Sequence, residues 1–288
     1  MLYMSNNLFI FFQKIVPQHL ISRIVGFFAR SKIKIVKNSF ISFFIKNYDI
    51  NMSEAVIEDP YAYESFNDFF TRNLKPGLRK FTRNDKDISC PVDGQISQIG
   101  SINSNKIIQA KGRNFFLKEF LGGDSELENE FSDGLYATIY LSPKDYHRIH
   151  MPLSGTLRLM YYIPGDLFSV NQITVDNVDN LFARNERLVC VFDTIYGSMV
   201  ITLVGAIVVA GIEVVWTSDN FKKNGKIQKK VYPKDGDRSI TLEKGEQLGQ
   251  FLLGSTVILC FEKDALGWKT ELKENSVVRL GQFLGSFR

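Results

Sequence analysis

Cysteine and histidine are scarce: the 288-residue chain has three of each. Cys90, Cys190 and Cys260 lie far apart, form no Cys-x-x-Cys pair and share no cluster with histidine. A disulfide framework and a cysteine metal site are therefore excluded as organising features. Free buried thiols in a reducing, cytoplasm-facing compartment are expected instead. No secretory signal is legible, because the apolar run at residues 8–12 has no small-residue cleavage site behind a positive start. Nor does an unbroken apolar run reach the roughly 20 residues of a spanning helix. The longest, Met199–Val215, is interrupted by Gly205 and Gly211, contains Glu213 and is rich in Val and Ile. It predicts two buried strands joined by a turn. Internal repeats and low-complexity linkers are absent too.

What is present is 44% hydrophobic residues, enough for a substantial core in one large domain or a domain with a small extension. Positive charge is uneven. Seven of the first 50 residues are Lys or Arg against the single acid Asp49, although the whole chain carries only +4. Ile21, Ile24, Val25 and Phe28 recur at helical spacing, and Val36, Phe40, Phe43 and Phe44 repeat the pattern. Two readings follow: helices packed on the protein's own core, or an interfacial anchor with aromatics in lipid and lysines on anionic headgroups. Charge and aromatic clustering favour the anchor. Ser65 is a candidate cap for a short helix ahead of Pro76-Gly77.

From about Ile88 the texture turns to short β-type runs. They include residues 95–99, 106–109, 136–141, 155–162, 188–193, 199–204, 207–215, 239–242 and 256–261, separated by turns such as Asp93-Gly94 and Pro164-Gly165. The expected fold is α+β: N-terminal amphipathic helices, then a β-rich body resembling a barrel or sandwich. Residues 1–75 are read as a helical membrane-associating front and 76–288 as the catalytic domain, with the junction in the charge-rich stretch Leu74–Asp87.

The few polar residues suited to chemistry stand out. His147 and His150 share one segment between Pro143 and Pro152, whereas His19 lies in the basic front. Residues three apart on an extended stretch face opposite ways, so the two need not share a role. Ordinary loop histidines are the plain alternative. Asp93 reads locally as a turn aspartate. Ser255 follows Gly254 inside an apolar run, where glycine marks a bulge or a close backbone approach. Asp, His and Ser are the parts of a nucleophile-activating relay, which geometry defines and residue order does not.

Ordered motifs sharpen this. Phe66-Asn67-Asp68-Phe69-Phe70-Thr71-Arg72, Asp93-Gly94, Gln109-Ala110-Lys111-Gly112, the segment from Asp145 to Pro152, Phe168-Ser169-Val170-Asn171, the segment from Asn180 to Arg187, and Leu253-Gly254-Ser255-Thr256 follow one another. Over nearly the whole chain the sequence resembles the bacterial pyruvoyl-dependent phosphatidylserine decarboxylases. The resemblance implies a proenzyme that cuts itself between Gly254 and Ser255 into a large chain, 1–254, and a small chain, 255–288. Asp93, His150 and Ser255 are the implied relay. Ser255 becomes a covalent pyruvoyl group that forms a Schiff base with the serine amine of the lipid, with no metal and no pyridoxal phosphate. His147 is the candidate proton donor in turnover, and Arg184 and Arg187 are candidates for lipid phosphate or carboxylate, with structural ion pairing as the alternative. A phospholipid substrate, an anionic membrane surface on the cytoplasmic face of the inner membrane and a homodimer are implied; nucleic acid is not. A Ser-His-Asp lipid hydrolase competes, although the Gly-x-Ser-x-Gly elbow is missing around Ser255. So does a non-catalytic membrane-binding homologue.

Overall fold

In a computed structural model that describes residues 6–207, 211–217, 225–252 and 255–288, the β-type runs gather into a long antiparallel sheet covered on both faces. Helices α1 (Asn6–Ile15), α2 (Gln18–Ala29) and α3 (Lys34–Asn47) form the front, followed by α4 (Phe66–Phe70). Four short helices lie within the body: α5 (Leu117–Phe120), α6 (Ser125–Glu130), α7 (Gln172–Asn177) and α8 (Leu181–Arg184).

The strands are β1 (Asp87–Ser89), β2 (Gly94–Ser101), β3 (Lys106–Ala110), β4 (Arg113–Phe116), β5 (Leu135–Leu141) and β6 (Arg148–His150). Next come β7 (Gly155–Ile163), β8 (Arg187–Thr194), β9 (Gly197–Val204), β10 (Ile212–Val214), β11 (Gln228–Val231) and β12 (Thr241–Leu242). The last are β13 (Gln247–Phe251), β14 (Ser255–Phe261), β15 (Leu266–Trp268), β16 (Val277–Val278) and β17 (Phe283–Phe287).

The main sheet runs β11-β7-β8-β9-β14-β5-β2-β16, with β12 also on β7. Among the described residues it stays open, ending at β11 and β16, so the expected α+β body is a layered stack of open sheets. Strand β14 sits at its centre, in register with β5 on one side and β9 on the other. Its alternation supplies both layers. Ile258 and Cys260 face a core with Phe115, Phe120, Phe131 and Phe182 under the β3–β4 hairpin and the short helices. Val257, Leu259 and Phe261 face a second core with Ile149, Leu248, Phe251 and Leu284, covered by the small sheets β10-β13-β6 and β1-β17-β15. Each fully buried phenylalanine contributes on the order of 2 kcal/mol.

The anticipated strand pair in Met199–Val215 is realised as β9 and β10, which belong to different sheets; residues 208–210 lie outside the described ones. The three cysteines are free and buried. Ser65 caps α4 as expected, accepting from the Asp68 amide at 3.2 Å and donating to its carboxylate at 2.7 Å.

Helix α2 is inside out for a water-soluble surface helix. Its buried residues are Gln18, Ser22, Gly26 and Ala29, whereas Leu20, Ile24, Phe27 and Phe28 are exposed, Phe27 to 70%. The small side chains let α2 approach its neighbours. Gln18 donates to the Gln13 carbonyl and accepts from the Leu167 amide, and Gln13 donates to Thr174. The front is thereby fastened to the body through polar groups, with its apolar side outward. Among the described residues no helix is long and apolar enough to cross a membrane.

Candidate active site

Ser255 opens β14 opposite Leu141 of β5. Its side chain is fully buried, and its hydroxyl has no hydrogen-bond partner among the described residues. By strand alternation it points to the same side as Val257 and Leu259, toward β6 and β13. An unpaired buried hydroxyl costs about 1–3 kcal/mol, so a purely structural serine would be a poor choice here. Gly254 lies outside the described residues, so its carbonyl has no assigned position.

Beyond Leu141 the chain turns sharply. The Ser142 amide and hydroxyl both donate to the Asp145 carboxylate, at 2.7 and 2.8 Å. That turn presents the Asp145 carbonyl to His147 Nδ1 at 2.9 Å. A carbonyl only accepts, so Nδ1 carries the proton and Nε2 is a bare lone pair. The imidazole is fully buried, packs on the Phe70 ring at 4.1 Å between centroids, and leaves Nε2 without a partner among the described residues. Burial holds its pKa down at about 3, so the ring is neutral. The His147 carbonyl accepts from the Phe251 amide at 3.0 Å. The end of β13 is thus fixed to the histidine segment just before the chain continues toward Ser255.

His150 stands on β6, paired with Gln247 of β13, and its own amide donates to the Pro91 carbonyl at 2.9 Å. Its Nδ1 donates to the Gly245 carbonyl at 2.8 Å, leaving Nε2 to accept from the Tyr146 hydroxyl at 3.1 Å. Burial lowers its pKa as well. The two histidines therefore share a tautomer but no partner, in line with their expected separate surroundings.

Asp93 is held by groups other than His150. Its carboxylate receives Arg79 Nε at 3.0 Å and Nη2 at 2.5 Å, and the Leu280 amide at 2.8 Å. No hydrogen bond joins it to His150, whose tautomer is set by the Gly245 carbonyl instead. Asp93 acts on that ring through its charge, which favours the imidazolium. Gly94, next in sequence, is required by packing: a Cβ there would lie 2.4 Å from the Tyr140 carbonyl oxygen. Arg79, which also pairs with Glu54 at 2.6 Å, was not among the sequence candidates; nothing in the spacing of the junction marks it. The two arginines offered for lipid contact are otherwise engaged. Arg187 is buried and donates to the carbonyls of Glu119, Phe120, Ala183 and Asn185. Arg184 pairs with Asp166 at 2.8 Å and lies over the Phe168 ring.

Comparison with known proteins covers almost the whole chain. The profile of the phosphatidylserine decarboxylase family matches residues 66–286, and a second, described as PSD, matches residues 8–49. A phosphatidylserine decarboxylase proenzyme of Idiomarina loihiensis is 51% identical over 97% of this chain and 96% of its own length. One from Pseudomonas putida is 50% identical over 98% of this chain and 99% of its own. One from Alcanivorax borkumensis is 49% identical over 99% and 97% respectively.

Proposed function

Because this chain belongs to the phosphatidylserine decarboxylase family, we propose that it converts phosphatidylserine to phosphatidylethanolamine with a pyruvoyl group made from its own Ser255. The observation that carries this reading is the buried, unpartnered Ser255 hydroxyl at the head of a central strand. Its oxygen adds to the Gly254 carbonyl as its proton passes to a histidine, and the amide becomes an ester. Elimination then breaks the ester C–O bond, frees residues 1–254 with a carboxylate end, and leaves a dehydroalanine. Water replaces its nitrogen as ammonia, leaving a ketone. Once in place, the pyruvoyl ketone and its adjoining carbonyl supply an electron sink for the bonding pair left by CO₂.

The relay is Asp93, His150 and Ser255, with His150 as base and Asp93 favouring its charged form from a distance. For His150 to act, its Nε2 must exchange the Tyr146 hydroxyl for that of Ser255. His147 serves turnover. It supplies the proton to the carbon that has lost CO₂. A second reading exchanges the roles, because His147 Nε2 and Ser255 Oγ are both buried and both unpartnered.

The division at residues 75/76 into membrane-associating front and catalytic body is favoured by a separate apolar cluster of Ala29, Ile41, Tyr63, Phe66, Phe69 and Phe70. The outward aromatic side of α1 and α2, beside Lys14, Arg23 and Arg30, supports peripheral binding to an anionic membrane at the cytoplasmic face. Pairing as a homodimer follows from the resemblance alone. Changing Phe11, Phe12, Phe27 and Phe28 together to Ser should weaken binding to phosphatidylglycerol-containing vesicles by at least about 100-fold, on the order of 1 kcal/mol for each ring. High salt alone should only reduce it. Undiminished vesicle binding by the four-residue variant would refute the anchor.

The decisive test of the reading is an intact mass spectrum with CO₂ release from labelled phosphatidylserine. Residues 255–288 should separate as a fragment of about 3.9 kDa, by proportion of the 32.9 kDa chain, with a blocked N-terminus. An active single chain would refute it.

A further inference from the structure

Arg72 closes the segment that delivers Phe70 to His147, and it is only 4% exposed. Nη2 donates to the Lys144 carbonyl at 3.1 Å, while Nε and Nη1 are buried without a partner among the described residues. Phe69 lies beneath the guanidinium at 5.9 Å, and among the described residues no carboxylate forms an ion pair with it. Arginine is permanently charged, and a buried cation with idle donors is among the most costly groups to leave uncompensated.

Arg72 lines a cavity of about 320 Å³ and a second of about 220 Å³. The larger one reaches Asp93, Lys144, Asp145 and Tyr146, so it is bordered by the residue that holds His150 and the turn that holds His147. Carboxylates line it too, and most are engaged. Glu54 and Asp93 bind Arg79, and Asp145 is turned onto Ser142. Among the described residues, the cations of the cavity without an ion pair are Arg72 and Lys144, and the lining carboxylate without one, besides Asp145, is Asp49.

We propose that Arg72 binds the phosphodiester of the lipid headgroup, its fork meeting the non-bridging oxygens. This rests on the decarboxylase reading above. The substrate offers two anions, and the reaction chooses between them. The carboxylate loses its charge as CO₂ departs, so a cation holding it would stabilise the starting state more than the transition state. The phosphodiester keeps its charge from substrate to product. An arginine there contributes uniform binding, which appears in KM and leaves kcat alone.

The test uses full-length Ser255→Ala protein with and without Arg72→Gln, titrated calorimetrically with glycerophosphoethanolamine, which has the phosphodiester but no carboxylate and no acyl chains. Arg72→Gln should weaken binding about 10- to 100-fold, and glycerophosphoserine should lose the same factor. In the Ser255 background, Arg72→Gln should still yield the small fragment and raise KM for short-chain phosphatidylserine by a similar factor, with kcat within about threefold. No binding by the Ser255→Ala protein, or equal binding with and without Arg72, overturns the proposal. So does a loss confined to glycerophosphoserine, which would assign Arg72 to the carboxylate. If Arg72→Gln does not fold, Arg72→Lys decides: it keeps the charge without the fork, and undiminished affinity for glycerophosphoethanolamine overturns the assignment. The decarboxylase reading itself stands on the intact mass and CO₂ release of the unaltered protein, which no Arg72 result changes.

Discussion

Replacing Ser255 by alanine is expected to leave one chain of 32.9 kDa with no decarboxylase activity. The variant lacks the only atom proposed to attack the Gly254 carbonyl, and alanine has no hydroxyl to eliminate. Misfolding would not explain the result. The hydroxyl is fully buried and unpaired, so its removal should be neutral or stabilise the protein by roughly 1 kcal/mol. Thermal unfolding should therefore occur at the same or a higher temperature, measured beside the gel for the small fragment. A cut or active Ser255→Ala protein would eliminate the self-processing mechanism.

His150→Ala should likewise stay uncut, since without a base the serine hydroxyl is a poor nucleophile. His147→Ala should still be cut, at least in part, yet lose about 10²–10⁴-fold in turnover, the usual worth of general acid–base help. Fragment formation and CO₂ release from labelled phosphatidylserine, followed on both variants, separate the roles. The reverse pattern, with His147→Ala uncut and His150→Ala matured, transfers the base to His147 and its vacant Nε2. Full activity and maturation in both variants would remove either histidine from the chemistry.

Much of the body was legible because its central strands are long and apolar on both faces. The runs at 136–141, 155–162, 188–193 and 256–261 match β5, β7, β8 and β14 to within one residue at either end. Strand β6, which holds His150, was not legible. Three residues bracketed by prolines have no periodicity, and the strand exists because β13 pairs with it. Helices α5 to α8 span four to six residues each, too short for a 3.6-residue pattern to register. Helix α2 was legible as a helix, and its charge and aromatic clustering already favoured an outward apolar side; the Gln18 and Gln13 bonds that fasten it to the body were not legible. At the site, residue types offered Asp93, His147, His150 and Ser255 only weakly, and the family resemblance of the ordered motifs singled them out. The Arg79 clamp on Asp93, the Gly245 carbonyl that fixes the His150 imidazole and the surroundings of the idle Arg72 donors depend on contacts between residues 14 to 95 positions apart, which local spacing does not encode.

The place of β14 has a further consequence for the processed protein. The proposed cut severs the backbone just ahead of a strand that keeps seven register pairs with β5 and six with β9, and the same piece carries β15, β16 and β17 into two sheets. Residues 255–288 would then be a separate molecule by covalent count, yet the interface they share with the larger piece is a protein core. Leaving would mean opening the middle of the main sheet, so dissociation and global unfolding become one event. The two pieces thus form a heterodimer with no history as free monomers. Small chains from two enzyme molecules would not trade places, and each pyruvoyl group would stay for life with the large chain that was made with it.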